Sequence, residues 1–266
     1  MAWMKQQIVC FLLAVSFFTR IPIPANTPFS PALLNKSSRY FSLVGYLVGS
    51  IGAATFGTCL HVFPISVSIV ISMIVTILLT SAFHEDGLAD TADGLGGGMT
   101  VEKKLLIMKD SRLGTYGAIA LWGGLLLKFT TLQEIGALSA PTMMLALIVL
   151  HPLSRAVAGS LIYDMKYVRE QDAKAKPVAE QQQTSDLCVL LLFGLLPLFW
   201  LPTNLAIPLL FIQCLLRFIA KQYLNKRLGG YTGDCLGAVQ QVSEISGYLV
   251  LLAAMIHGGS LWPQFH

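Results

Sequence analysis

Charge is what this sequence has least of: Asp, Glu, Lys and Arg make up 12% of its 266 residues, about half the roughly 25% of an ordinary soluble domain. A chain so poor in charge cannot cover its own surface in water. With 55% hydrophobic residues and a mean hydropathy of +0.67, lipid must be part of its solvent. Disulfide patterns are missing too. The five cysteines (Cys10, Cys59, Cys188, Cys214, Cys235) show no C-x-x-C spacing, and an odd number, most of them in apolar runs, reads as small buried hydrophobes. No Gly-Lys-Ser/Thr phosphate loop occurs, which excludes nucleotide hydrolysis of that type. No small-residue cleavage site follows the apolar stretch 8–18, so a retained helix ending at Pro22 and Pro24 is expected there rather than a leader. No strand pattern competes anywhere.

What is present is a series of apolar stretches, at 41–63, 65–83, 116–132, 137–153, 187–201, 205–220 and 236–256. Backbone polar groups in hydrocarbon must be satisfied internally, so each stretch is read as a helix. The expected fold is all-α: a polytopic membrane helical bundle of about seven spans plus a short N-terminal helix, in one domain over residues 1–266. If the spans alternate, 17 of the 18 Lys and Arg residues fall on one side, which the positive-inside rule makes cytoplasmic. That set includes Arg155, Lys166, Arg169, Lys174 and Lys176, placed around the loop after the fourth span. Lys128 is left over and is expected to snorkel towards the outer surface.

The densest polar segment lies between the second and third spans and runs from His84 through Glu85, Asp86, Asp90 and Asp93 to the glycines 94 and 96–98. Asp86, Asp90 and Asp93 stand at i, i+4 and i+7, on one helical face. Like charges at that spacing destabilise a helix, so a compensating cation is expected. Oxygen ligands suit a hard ion such as Mg²⁺, held by a few carboxylates plus substrate phosphates. The glycine run beside it lets backbone N–H groups approach phosphate. Glu85, about a quarter-turn off the stripe, is a fourth candidate ligand. His84 reads equally as a general base, a substrate hydrogen-bond donor or an interfacial side chain. A solvated acidic loop would not explain why the carboxylates alternate with Gly, Leu and Ala.

Two basic or glycine-rich segments accompany this stripe. Lys109 and Arg112 follow it by about 20 residues and offer a point charge and a planar fork to phosphate. Lys103 and Lys104 are adequately explained as ordinary positive-inside charge. Gly229, Gly230, Thr232 and Asp234 form a turn at the mouth of the last span, presenting backbone donors, a hydroxyl and a carboxylate. Glu244 lies further inside that span, where an ionisable residue is costly and therefore a site candidate; Arg155 is a weaker one. Carboxylates, glycine-rich backbone and clustered cations together describe a pyrophosphate-handling site.

At these motifs the sequence resembles a known family. His84-Glu85-Asp86-Gly87-Leu88-Ala89-Asp90-Thr91-Ala92-Asp93-Gly94, Lys109-Asp110-Ser111-Arg112-Leu113-Gly114, Leu228-Gly229-Gly230-Tyr231-Thr232-Gly233-Asp234 and the early Phe18-Thr19-Arg20-Ile21-Pro22-Ile23-Pro24 resemble the signatures of the cobalamin synthases, the adenosylcobinamide-GDP ribazoletransferases. The likeness runs from about residue 10 to the last span; the 169–185 loop and the C-terminal tail lie outside it. It implies a Mg²⁺-dependent transferase of the bacterial inner membrane, multi-pass, with its active site facing the cytoplasm. It implies that adenosylcobinamide-GDP is joined to α-ribazole or its 5′-phosphate, with GMP leaving. Asp86, Asp90 and Asp93 would then hold the metal against the pyrophosphate, and Lys109 and Arg112 would neutralise GMP. Thr232, Asp234 and Glu244 would orient the ribazole or hold a second metal. A phosphotransferase acting on a CDP-alcohol uses similar metal logic, but the spacing of the first two aspartates after His84 fits the cobalamin pattern better. A cation transporter would want mid-membrane carboxylates or repeats, and no repeat is found. The expected partners are the small-molecule substrates and the lipid bilayer, with no nucleic acid; self-association into a homo-oligomer is left open.

Overall fold

The computed structural model describes residues 2–169 and 182–257. Helix α1 (Ala2–Phe18) stops short of Pro22 and Pro24, as proline lacks the donor a helix interior needs. Helix α2 (Pro31–Ser37) starts with Ser30 accepting the Leu33 N–H and passes through one 3-10 turn into α3 (Phe41–Cys59). Then come α4 (Ile65–Leu79), α5 (Phe83–Gly97), α6 (Val101–Ile107), α7 (Thr115–Leu138) and α8 (Ala140–Asp164). Further on come α9 (Thr184–Leu195), α10 (Thr203–Leu228) and α11 (Gly233–His257). Among the described residues β-pairing is confined to one parallel bridge, Tyr167 with Tyr231. The all-helical expectation holds.

The expected span count does not carry over whole. Among the described residues four helices are long and apolar enough to cross a bilayer: the α2–α3 run, α8, α10 and α11. A fifth crossing exists only if α4 and α5, bent by 84° at their junction, count as one. Helix α4 has 15 residues, or about 22 Å at 1.5 Å each, and α9 has 12, both short of the roughly 20 a span needs. Helix α7 is long enough at 24 residues, but it carries Lys128 and Glu134 and falls below the four in hydropathy. Helix α8 begins at Ala140 and runs to Asp164, well past the end expected at 153, and this moves Arg155 from a loop into the helix interior.

Helix α8 is the central post, with 89% of its most apolar window buried, whereas α10 is peripheral at 17%. Phe56, Ile69, Leu132, Met143, Leu150 and Tyr248 are fully enclosed around α8. Basic residues gather at one end of the bundle. Arg39 pairs with Asp186, and Arg217 and Lys221 both reach Asp164 at 2.9 Å. Lys104, which sequence alone assigned to generic surface charge, is buried and donates to the Arg227 carbonyl at 3.3 Å. Lys174 and Lys176 lie outside the described residues. Lys128 breaks the expectation of an outward-facing lysine: it is 3% exposed and pairs with Glu244.

The junction between α4 and α5 sets up the site. Ser81 and Ala82 both sit at φ 56°, a left-handed conformation that costs a residue with a Cβ about 1–2 kcal/mol. Arg20 holds this corner, its backbone N–H donating to the Leu79 carbonyl (2.8 Å) and its Nε to Ser81 Oγ (2.7 Å). Phe18 stacks on Phe41 and meets the edge of Phe83, so the Phe18-Thr19-Arg20 motif is a brace for the start of α5. Beyond the corner α5 crosses α11 at Gly87 and Gly237, where a Cβ added to Gly87 would lie 2.7 Å from the Asp234 carbonyl oxygen.

Candidate active site

The polar stripe of α5 faces the end of the bundle where the basic residues gather. Asp86 is exposed, Asp90 is half-buried and Asp93 is buried. The three differ in what they hold. Asp93 Oδ2 accepts the Gly114 N–H at 2.7 Å and Oδ1 accepts the Gly117 N–H at 2.8 Å, satisfying free donors at the start of α7. A Cβ at either glycine would run into that carboxylate. The third aspartate of the stripe therefore ties the 108–114 loop to α5, and both its oxygens are engaged in doing so.

Asp90 is in the opposite situation. Burial, then Asp86 and Asp234, push it up to about 7, against the opposing pull of Arg169. Asp234 comes from the first turn of α11 and is paired with Arg169, which also donates to the Met108 carbonyl at 3.2 Å. The turn before α11 brings the two residues together. Gly229 closes α10 at φ +76°, and Tyr231 then exchanges hydrogen bonds with the 166–168 segment, its N–H to the Lys166 carbonyl (2.9 Å) and its carbonyl from the Val168 N–H (3.1 Å). That register carries Arg169 onto Asp234. Sequence reasoning missed Arg169, because it sits in a segment with no motif and its partner is 65 residues away.

Several expected site residues prove to be scaffold. The Thr232 hydroxyl is fully buried and accepts the Cys235 N–H at 3.3 Å, capping α11 rather than facing a substrate. Gly230 is buried and packed so closely against the Lys166 carbonyl that a Cβ there would collide with it. Arg112 is exposed and forks onto Asp110 at 2.5 Å, holding that carboxyl at about 2. Lys109 is exposed on the same loop, and both cations lie at the rim of the acidic face. His84 and Glu85 turn into the bundle. His84 lies parallel to Phe41 and edge-on to Phe83, with its Nε2 buried and unpartnered. Glu85 accepts from Gln241 Nε2 at 3.1 Å and is not on the aspartate face, which puts it out of place for the ligand role expected from sequence.

Glu85 instead begins a buried chain of bonds. Gln241 donates to the Gln240 amide oxygen at 2.9 Å, and Gln240 donates to Glu244 Oε2 at 2.6 Å. Glu244 also binds Lys128 Nζ at 2.5 Å and His151 Nδ1 at 3.2 Å, and accepts from the Tyr248 hydroxyl at 3.3 Å. Arg155, fully buried, donates to the His151 carbonyl at 2.9 Å. Ten residues along α11 from Asp234, about 15 Å at helical rise, Glu244 joins α7, α8 and α11 and stands away from the acidic face.

Among the described residues no three His, Cys, Asp or Glu side chains come together closely enough to hold a metal ion by themselves. The donor set still fits a hard cation bound by few protein ligands. Asp86 and Asp90 are oxygen donors one turn apart, and Asp90 is pushed up first by burial and then by the neighbouring carboxylates of Asp86 and Asp234. Mg²⁺ characteristically takes one or two carboxylates and fills its shell with water and phosphate.

The profile of the cobalamin-5-phosphate synthase family matches residues 10–252. The chain belongs to that family. Among cobalamin-5-phosphate synthase relatives it is 49% identical over 252 residues to the adenosylcobinamide-GDP ribazoletransferase of Shewanella frigidimarina, covering 94% of this chain and 96% of that one. It is 48% identical over 256 residues to the protein of the same name from Vibrio parahaemolyticus, with 95% of each covered. The one from Shewanella halifaxensis is 50% identical over 251 residues, 94% of this chain and 96% of its own. No solved structure matches. The family match takes in the whole acidic face, the tethered loop, Arg169 and Asp234.

Proposed function

We infer that the chain performs the transfer its relatives are named for, joining adenosylcobinamide-GDP to α-ribazole or its 5′-phosphate, in a bacterial inner membrane with the site on the cytoplasmic side. The observation that carries this reading is the meeting of the α5 aspartates with Asp234, Arg169 and the loop tethered by Asp93, all at the basic end of the bundle. A ribose hydroxyl gives up its proton to solvent and forms the new bond to the phosphate on the cobinamide arm, the bond from that phosphorus to the bridging oxygen breaks, and GMP leaves with that oxygen. Asp86 and Asp90 would hold Mg²⁺, which when bound supplies neutralisation of the diphosphate charge. Arg169, paired with Asp234, would take one phosphate oxygen. Lys109 and Arg112, on a loop fixed to α5 through Asp93, would receive the departing GMP. Phosphoryl transfer asks mainly for such positioning and charge neutralisation.

Purified protein in detergent, given adenosylcobinamide-GDP and α-ribazole, is expected to release GMP and form a corrinoid product only when Mg²⁺ is supplied. Turnover that persists under chelation, or CMP release from a CDP-alcohol in its place, would contradict the reading. Arg169→Ala is expected to reduce turnover about 100-fold while protein yield holds, the effect of removing one positioned charge. Gly87→Ala should act through geometry. Its methyl would wedge α5 from α11, costing about 1–3 kcal/mol of stability and lowering turnover, both read from thermal unfolding and GMP release on one preparation.

A further inference from the structure

On the side of α5 turned away from the aspartates lies a cavity of about 460 Å³ between α5, α10 and α11, within the roughly 300–1,000 Å³ of small-molecule pockets. Leu88, Ala92, Leu216, Ala220, Val239 and Val242 form most of its wall. Thr91 also lines it, its buried hydroxyl beside the Cys235 thiol. The cavity exists because α10 stands off from α5: α10 is the least buried of the four long apolar helices, and Ile219 on its cavity side is 51% exposed. In a chain of this composition that exposed surface meets lipid, so the cavity opens to the bilayer.

The chemistry changes at one end. From Leu216 to Leu224 the lining follows α10 for about 12 Å at helical rise, and less than a turn further on come Lys226 and Arg227. Arg227 donates to the Leu95 carbonyl at 2.7 Å, lies 5.8 Å from the Tyr223 ring centroid, and has a buried Nε with no partner. Lys226 is exposed. Among the described residues neither is ion-paired, whereas Arg217 and Lys221 on the same helix both reach Asp164. An apolar slot open to the bilayer, with uncompensated cations at the basic end, has the two-part chemistry of an anionic phospholipid; basic pockets between membrane helices bind such headgroups.

We propose that this cavity is a binding site for one anionic phospholipid, an acyl chain lying between α5 and α10 and the headgroup phosphate held by Arg227 and Lys226. Native mass spectrometry of the full chain, exchanged in detergent against equal phosphatidylglycerol and phosphatidylcholine, tests it. The wild-type chain should retain one phosphatidylglycerol in preference to phosphatidylcholine by about 10-fold or more, given two nearby cations. Ala220→Trp, which fills the slot, should abolish retention. Lys226→Gln with Arg227→Gln should remove the preference between the two lipids. Equal retention of both lipids by the wild-type chain overturns the proposal without recourse to any variant. So does unchanged retention by a monodisperse Ala220→Trp protein, or displacement of the lipid by α-ribazole, which would make the cavity a substrate site.

Discussion

Asparagine at Asp86 or at Asp90 should abolish ribazole transfer, lowering turnover by about 10²–10³-fold as expected for loss of a preorganised charge, while asparagine at Asp93 should fail in a different way. All three share one helical face, but Asp93 has both oxygens on the amides of Gly114 and Gly117. Asp90 is half-buried among the like charges of Asp86 and Asp234, with Arg169 opposing them. Magnesium titration separates the cases. The Asp86→Asn and Asp90→Asn enzymes should need far more Mg²⁺ to reach their residual rate. The Asp93→Asn enzyme should keep the wild-type requirement and show a raised KM for adenosylcobinamide-GDP, because the loop bearing Lys109 and Arg112 is no longer fixed. A matching rise in Mg²⁺ requirement for Asp93→Asn would restore it to the ligand set.

Glu244→Gln is expected to be the most destabilising single change in the chain. Glu244 is 1% exposed and faces Lys128, itself 3% exposed, with Arg155 nearby and equally enclosed. Breaking a buried pair by removing one partner costs about 3–5 kcal/mol, because the surviving charge is left in a medium that cannot solvate it. Thermal unfolding in detergent should show that loss. Lys128→Met on the Glu244→Gln background should recover part of it, since the stranded ammonium is then gone. A Glu244→Gln protein as stable as the wild type would mean that the pair contributes nothing to the bundle. The buried bonds from Glu244 through Gln240 and Gln241 to Glu85 also predict that this variant loses activity, as the inner face of α5 loses its anchor.

How far the sequence could be read depended on the distance between partners. The acidic face was legible because its three aspartates lie within one short helix and helical periodicity alone aligns them. Membrane embedding and the all-helical fold followed from composition. The duty of Asp93 was not legible, since its partners are backbone amides 21 and 24 residues away that carry no side-chain signature. Lys128 and Glu244 could not be paired without knowing that α7 lies against α11. Arg169 acquires its place through the register of Tyr231 against 166–168, a relation no motif encodes. The seven apolar stretches were real, but hydropathy cannot separate a helix that crosses a membrane from a shorter one that covers the central post. Arg155 was misplaced for a related reason: its charge looked like the end of a span, when α8 carries it through in the interior.

The crossing of Gly87 and Gly237 has a consequence for biosynthesis. Asp90 emerges from the ribosome long before Asp234, and the two meet where α5 rests on α11. A nascent chain halted before residue 233 therefore carries the carboxylates without the arrangement that makes them useful. On the proposed reading the site is assembled only once α11 is in place, so a copy cut short ahead of it would occupy membrane without transferring anything.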